Sequence, residues 1–322
     1  MRSLQARTGL SQLHPASSGV RAPFIFSGSG PGELRITPFL PFSAVAILWG
    51  KKMRNVLMLF CCLGLLCSPA ALSAGSSAAA RPSAGQPENE AAWYRSVRSG
   101  LSRFKDGGGY KANRQALEAL VQKACRWDAK AGKPVFLIQE ARPSFCSSAC
   151  YLLLLKALET WDSGRSGPVI SERAWLALMP RIGQHDGYGP WGWANANGPG
   201  FAVLVHSLGA GVNFEDWGQA RPGDFMKIFW TDHIGRRESG HLTVLVKDGG
   251  DEVTFWSSNV PDGYGARTVP KSKIKRVIFT RITRPERFNL APSIGHHAWL
   301  ASLLKQDVSM KEVRRHCGMK EP

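Results

Sequence analysis

The sequence predicts an α+β fold in which one fully buried helix packs on an antiparallel sheet. Two observations carry this. Four consecutive leucines, Leu152 to Leu155, lie within an apolar stretch from Tyr151 to Leu158, so a helix there has no polar side to turn to water. Beyond residue 220, four strand-like runs follow one another across Gly, Asp and Pro punctuation. A helical half followed by a meander of strands is the pattern of α+β packing.

The elements follow in chain order. Residues 81–100 open with RPSAGQPENEAA and are expected to form a linker. From Asn113 to Cys125, apolar residues at 117, 120, 121, 124 and 125 make a helical stripe. Pro134 to Ile138 is a short apolar run, and Pro143-Ser144-Phe145 stops the chain before Cys146, where the buried helix begins. Ser171 to Met179 holds a helical turn, and Phe201 to Leu208 reads as a short helix after Pro199. Between them GQHDGYGPWGWANANGPG reads as a long loop, and long loops inside compact domains are usually functional. Strands are expected at 225–230, 242–247, 252–257 and 276–282, which places the main domain over 101–290. The tail, 291–322, holds two short helices, the second running from Ser309 to Gly318.

The first eighty residues stand outside this pattern. Val56 to Cys67 is a 12-residue apolar run preceded by Lys51, Lys52 and Arg54 and followed by small residues to Ala80. A basic start, a short apolar centre and an Ala/Ser-rich end describe a secretory signal over 53–80, too short to span a bilayer comfortably. Residues 1–52, which lack any periodicity, are expected to be a non-native upstream extension with Met53 as the true start. The chain carries 41 Lys+Arg against 24 Asp+Glu. Seven of the bases and one acid lie in residues 1–80, so the exported part keeps a net charge of +11. Such a charge favours an acidic partner. Export and the absence of an aromatic-interleaved basic motif exclude nucleic acid, and no integral membrane domain is left once the signal is removed.

Four cysteines remain after the signal: Cys125, Cys146, Cys150 and Cys317, too sparse for a disulfide scaffold. Cys146 stands at a helix start, where unpaired N–H groups and the helix dipole favour the thiolate. A nucleophile needs a base, and His241, directly after Gly240, opens a strand 95 positions on. The base needs a polar orienter. The next strand ends in Ser257-Ser258-Asn259. A two-residue turn at 249–250 sets Ser258 across from His241, and a three-residue turn sets Asn259 there; residues so paired have Cβ atoms about 5 Å apart. Either register leaves a polar side chain beside the histidine.

These residues resemble a known group. FCSSACYLLLL around the cysteine, Pro222-Gly223-Asp224 entering a strand and GHLTVLV opening the next look like the papain-fold cell-wall cysteine peptidases, the NlpC-like and CHAP amidase families. The resemblance spans roughly 110–284 and implies a papain-like fold with a Cys-bearing helix packed on an antiparallel sheet. By position it makes Cys146 the nucleophile, His241 the base and Asn259 the third member, with Ser257 or Ser258 as alternatives. Gln139 falls where such enzymes place an oxyanion glutamine. Phe145 stands where the family usually has Asp, and the interval from Cys to His is longer by the Trp/Gly/Asn loop.

The function expected from this is an exported cysteine amidase or peptidase, needing no cofactor and cutting amide bonds of peptidoglycan or another acidic wall polymer. Trp191 and Trp193, with Asn195 and Asn197, are candidate groove residues, either stacking on substrate or pinning the loop to the core. No metal is expected, because a second thiol pair is missing. A catalytically idle wall-binding module is the alternative from another class, and acyl transfer in place of hydrolysis is a third.

Overall fold

Helix α1 (Gln86–Leu101) opens the part of the protein, residues 86–321, that the computed structural model describes. The expected signal and upstream extension lie outside the described residues. The linker expected over 81–100 is, from Gln86 onward, this helix. It buries Trp93 and Val97 against the central helix, and its Gly100 lies so near Leu153 that a Cβ would stand 2.8 Å from that side chain. The polar opening PENE hid an apolar stripe that only a partner surface makes helical.

A two-residue strand β1 (Gly107–Gly108) follows, then a short helix α2 (Arg114–Glu118) that widens into a π-helical turn over Ala119–Ala124. Cys125 leaves the helical stripe and begins strand β2 (Cys125–Asp128), which pairs with β3 (Lys133–Phe136). The central helix α3 (Cys146–Ser163) comes next, with Phe145 extended as its N-cap residue. Leu152 to Leu155 are all fully buried, as a helix wrapped by neighbours requires. Burying each such side chain is worth about 1.5–3 kcal/mol.

Three short helices then cover α3 and the sheet: α4 (Glu172–Leu178), α5 (Gly189–Asn195) and α6 (Gly200–Ser207). The sheet is built from β4 (Gly211–Phe214), β5 (Phe225–Phe229), β6 (Gly240–Asp248), β7 (Glu252–Asn259), β8 (Gly263–Pro270) and β9 (Arg276–Ile282). With β1 it has seven strands in the order β1-β8-β7-β6-β5-β9-β4, all antiparallel. The protein is therefore α+β. One sheet face packs on the helices through Phe225, Phe229, Leu242, Val244 and Trp256; the other buries Met226, Ile228, Leu245, Phe255 and Phe279. Helices α7 (Ala298–Ser302) and α8 (Met310–His316) put Leu300, Leu303, Val313 and Cys317 into the helix-side core, so the tail and α1 belong to the same folded unit as 101–290. Among the described residues no helix is long and apolar enough to cross a membrane.

Pro222-Gly223-Asp224 earns its place mechanically. Gly223 has φ +101°, and a Cβ there would meet the Tyr94 ring at 2.6 Å. Asp224, buried at the entry to β5, accepts from Tyr94 Oη at 2.6 Å and from Arg281 Nε and Nη2 at 3.1 and 2.8 Å. This knot ties α1, β5 and β9 together.

Candidate active site

The hairpin β6–β7 decides what stands beside His241. Asp248 pairs with Val253 and Lys247 with Thr254, a register that, run on regularly, would set Val260 across from His241. An irregularity at Val246 removes one residue from the ladder, so Leu245 pairs with Phe255 and Val244 with Trp256. Continued from there, the register sets Asn259 opposite His241. Neither of the two regular turns expected from the sequence is present; a longer turn and a bulge together reach the Asn259 register.

The ladder stops at Val244↔Trp256, and the backbone of Leu242 is free for other partners. Its carbonyl accepts from Ser257 Oγ at 2.7 Å and from the Cys150 thiol at 3.3 Å. Its N–H donates to the Cys146 sulfur. The start of α3 thus abuts the end of the β6–β7 ladder, which is how a helix residue meets a strand residue 95 positions away.

His241 Nε2 lies 3.0 Å from Asn259 Oδ1. The Asn259 amide nitrogen donates to Gly265 O at 2.8 Å, so its carbonyl oxygen is the atom left to face the ring. An oxygen acceptor there makes Nε2 the protonated nitrogen of the neutral imidazole, leaving Nδ1 for the thiol. Cys146 is half-buried, with the His241 side chain acting on its sulfur. Burial alone would push its thiol up; His241, the Leu242 N–H and the charge of Lys227 outweigh that and bring it down to about 7. Phe145 has no side-chain acceptor, and its own N–H goes to Ser148 Oγ at 3.0 Å. The N–H groups at the first turn of α3 are therefore uncapped, as an anion site needs.

Two arrangements at the start of α3 were not foreseen. The Tyr110 hydroxyl stands near Cys146, and burial together with that sulfur raises the phenol well above its ordinary value. It is placed there by the backbone, Tyr110 N–H donating to Pro261 O and Lys111 N–H to Ser144 O, both at 2.9 Å. Nothing in the sequence marks a tyrosine 36 positions before the cysteine. The second is a relay from the first turn of α3: Ser147 Oγ donates to Asn195 Oδ1 at 2.7 Å, and Asn195 Nδ2 donates to Asp186 Oδ1 at 3.1 Å. Burial pushes the Asp186 carboxyl up to about 6, against the hydrogen bonds from Asn195 and the Asn197 N–H.

The structure brings Cys146, His241 and Asn259 together. It does not gather the remaining candidates. No family model, no curated protein and no solved structure matches this chain. The site accordingly has to be read from its own geometry.

Several expected roles are corrected by that geometry. Gln139 is exposed and donates its amide to Arg103 O at 2.8 Å, so it is no oxyanion donor. Ser258 accepts from Ser144 Oγ at 2.8 Å and Ser257 is committed to Leu242 O; both brace the site without touching the ring. The tryptophan loop is helix α5. Trp191 is 1% exposed against Tyr151 and Phe145, and Trp193 is 7% exposed with its Nε1 on Gly295 O, so neither offers a face to a substrate. Asn195 holds the relay and Asn197 donates to Gly235 O, both structural bonds. All four described cysteines are free thiols, and Cys125, Cys150 and Cys317 are buried with their thiols pushed up. Among the described residues no cluster of three metal-ligating side chains occurs.

Proposed function

We propose that this protein is an exported cysteine amidase or peptidase of papain-like architecture, cutting amide bonds in peptidoglycan stem peptides. The single observation that supports it most is the geometry of Cys146, His241 and Asn259: a helix-start thiol held near neutral titration by an imidazole whose tautomer Asn259 dictates.

The chemistry follows from those atoms. The Cys146 thiolate attacks the amide carbon, the sulfur–carbon bond forms, and the electron pair moves to the carbonyl oxygen. The uncapped N–H groups of α3 and the Tyr110 hydroxyl are the donors available for that oxyanion. His241, protonated at Nδ1, gives its proton to the leaving amine as the carbon–nitrogen bond breaks. A water then loses a proton to Nδ1, attacks the thioester and releases the acid, returning sulfur and ring to their starting state.

The net charge of +11 on residues 81–322 suits a wall polymer rich in carboxylates. The expected signal at 53–80 supports export. The idle wall-binding alternative loses its main surface, because Trp191 and Trp193 are inside the core. The test is digestion of purified peptidoglycan by the wild type and by Cys146→Ala. Wild type alone should release muropeptide fragments with new amino termini; equal release by the variant would end the proposal.

A further inference from the structure

Strand β5 is buried on both faces, yet its middle residue is a lysine. Phe225 and Phe229 belong to the helix-side core and Met226 and Ile228 to the opposite one, so alternation puts Lys227 on the helix side, paired with Leu242. The Lys227 side chain is 13% exposed, and its Nζ lies 2.5 Å from Oε1 of Glu238, itself 7% exposed. The other Glu238 oxygen accepts from the N–H groups of Gly198 at 2.5 Å and Gly235 at 3.2 Å.

The glycine that opens β6 is shaped by this pair. A Cβ on Gly240 would stand 2.6 Å from Glu238 Oε1 and 2.8 Å from Lys227 Nζ. Room has therefore been left, next to His241, for two opposite charges in a place that apolar side chains would otherwise fill. A buried ion pair brings little net stability over an apolar filling of the same volume. Its location supplies a better reason. Leu242, opposite Lys227, donates its N–H to the Cys146 sulfur, and the lysine charge acts on that same sulfur.

The titratable groups that act on Cys146 are His241 from β6, Tyr110 from the segment after β1 and Cys150 from its own helix, with the Lys227 charge reaching it from β5. Asp186 interacts with Glu238, on the far side of the pair. In the proposed cycle His241 loses and regains a proton, whereas Lys227 takes part in no proton transfer.

We propose that Lys227 is a positioning residue for the nucleophile: anchored by Glu238 on the helix side of β5, across from Leu242, it adds a positive charge to the surroundings of Cys146 that does not depend on the proton carried by His241. This rests on Cys146 being the nucleophile, and it adds a second, proton-independent source of its activation.

The experiment is the rate of Cys146 alkylation by iodoacetamide against pH, read residue by residue by mass spectrometry on the purified full chain. Lys227→Met should move the midpoint up by about one pH unit, the lower end of the effect of a close charge. At pH 6 that is about a tenfold slower reaction. Lys227→Arg should restore the wild-type midpoint, and Glu238→Gln should move it down, because the lysine charge is no longer offset. Lys227→Met leaves Glu238 buried and unpaired and risks unfolding, so the double variant K227M/E238Q serves as the check, its midpoint expected about one pH unit above that of Glu238→Gln alone. Opposite shifts for lysine and glutamate changes are what a merely structural pair would not produce. An acidic wild-type midpoint left in place by the double variant and by Glu238→Gln would overturn this inference alone. A wild-type sulfur that alkylates as an ordinary thiol would overturn both it and the proposed function.

Discussion

Asn259 turns its carbonyl oxygen toward His241 Nε2 because its amide nitrogen is already donated to Gly265 O in the neighbouring strand. The orientation of the imidazole is thus inherited from the pairing of β7 with β8, where Asn259 stands across from Gly263. A side chain with no acceptor cannot hold the ring, and one without the second donor has no reason to point that way.

Replacing Asn259 with Ala should therefore lower kcat by about a hundredfold, part of what a positioned acid–base group contributes. KM should change little, since Asn259 is buried and is not in reach of substrate. Steady-state kinetics on a stem-peptide substrate checks this, and an unchanged kcat would show the ring needs no orienter.

The Cys146 thiol lies at about 7, below the ordinary thiol value, because His241, the Leu242 N–H and Lys227 outweigh burial. Below that pH the sulfur holds its proton and cannot attack; above it the thiolate dominates. The acidic limb of kcat/KM should accordingly have its midpoint near pH 7. A limb near pH 9 would mean the sulfur is not activated by its surroundings.

Asp224 is a carboxylate removed from water and held by Arg281, Tyr94 and the Arg221 N–H. Asp224→Ala leaves the Arg281 guanidinium, itself only 12% exposed, without its partner. The cost should be about 3–5 kcal/mol, as for other broken buried pairs. Urea unfolding followed by circular dichroism measures it, and a loss under 1 kcal/mol would mean water reaches the site.

Much of the site was legible because its parts obey local rules. A cysteine after an extended, proline-containing approach marks a helix start, and a polar triplet closing the strand after Gly-His marks what lies across a hairpin. Which of Ser258 and Asn259 faces the ring was not legible. That choice turns on the irregularity at Val246, and a bulge leaves no signature in an alternating apolar strand. Tyr110 was invisible for a plainer reason: it is brought in by the backbone bonds of Lys111 to Ser144 and of Tyr110 to Pro261, between residues 33 and 151 positions apart.

The tryptophans show the opposite failure. Glycine and asparagine around Trp191 and Trp193 read as a long loop whose rings either stack on substrate or pin it to the core; the two large rings are in the core, and the segment is a helix against Tyr151 and His297. Likewise nothing in the sequence sets Lys227 apart, and its buried partner Glu238 is known only from the structure.

From the chain alone came the helix that must be inside, the strands that must follow it, and a cysteine and a histidine with the chemistry to work together. Burial pattern and residue type are properties of short stretches, and they survive without coordinates. Tertiary structure decided which polar group orients the ring, which tyrosine and lysine attend the sulfur, and which tryptophans are lost to the core. Those depend on strand register and on contacts across more than a hundred residues, where one slipped position exchanges one side chain for its neighbour.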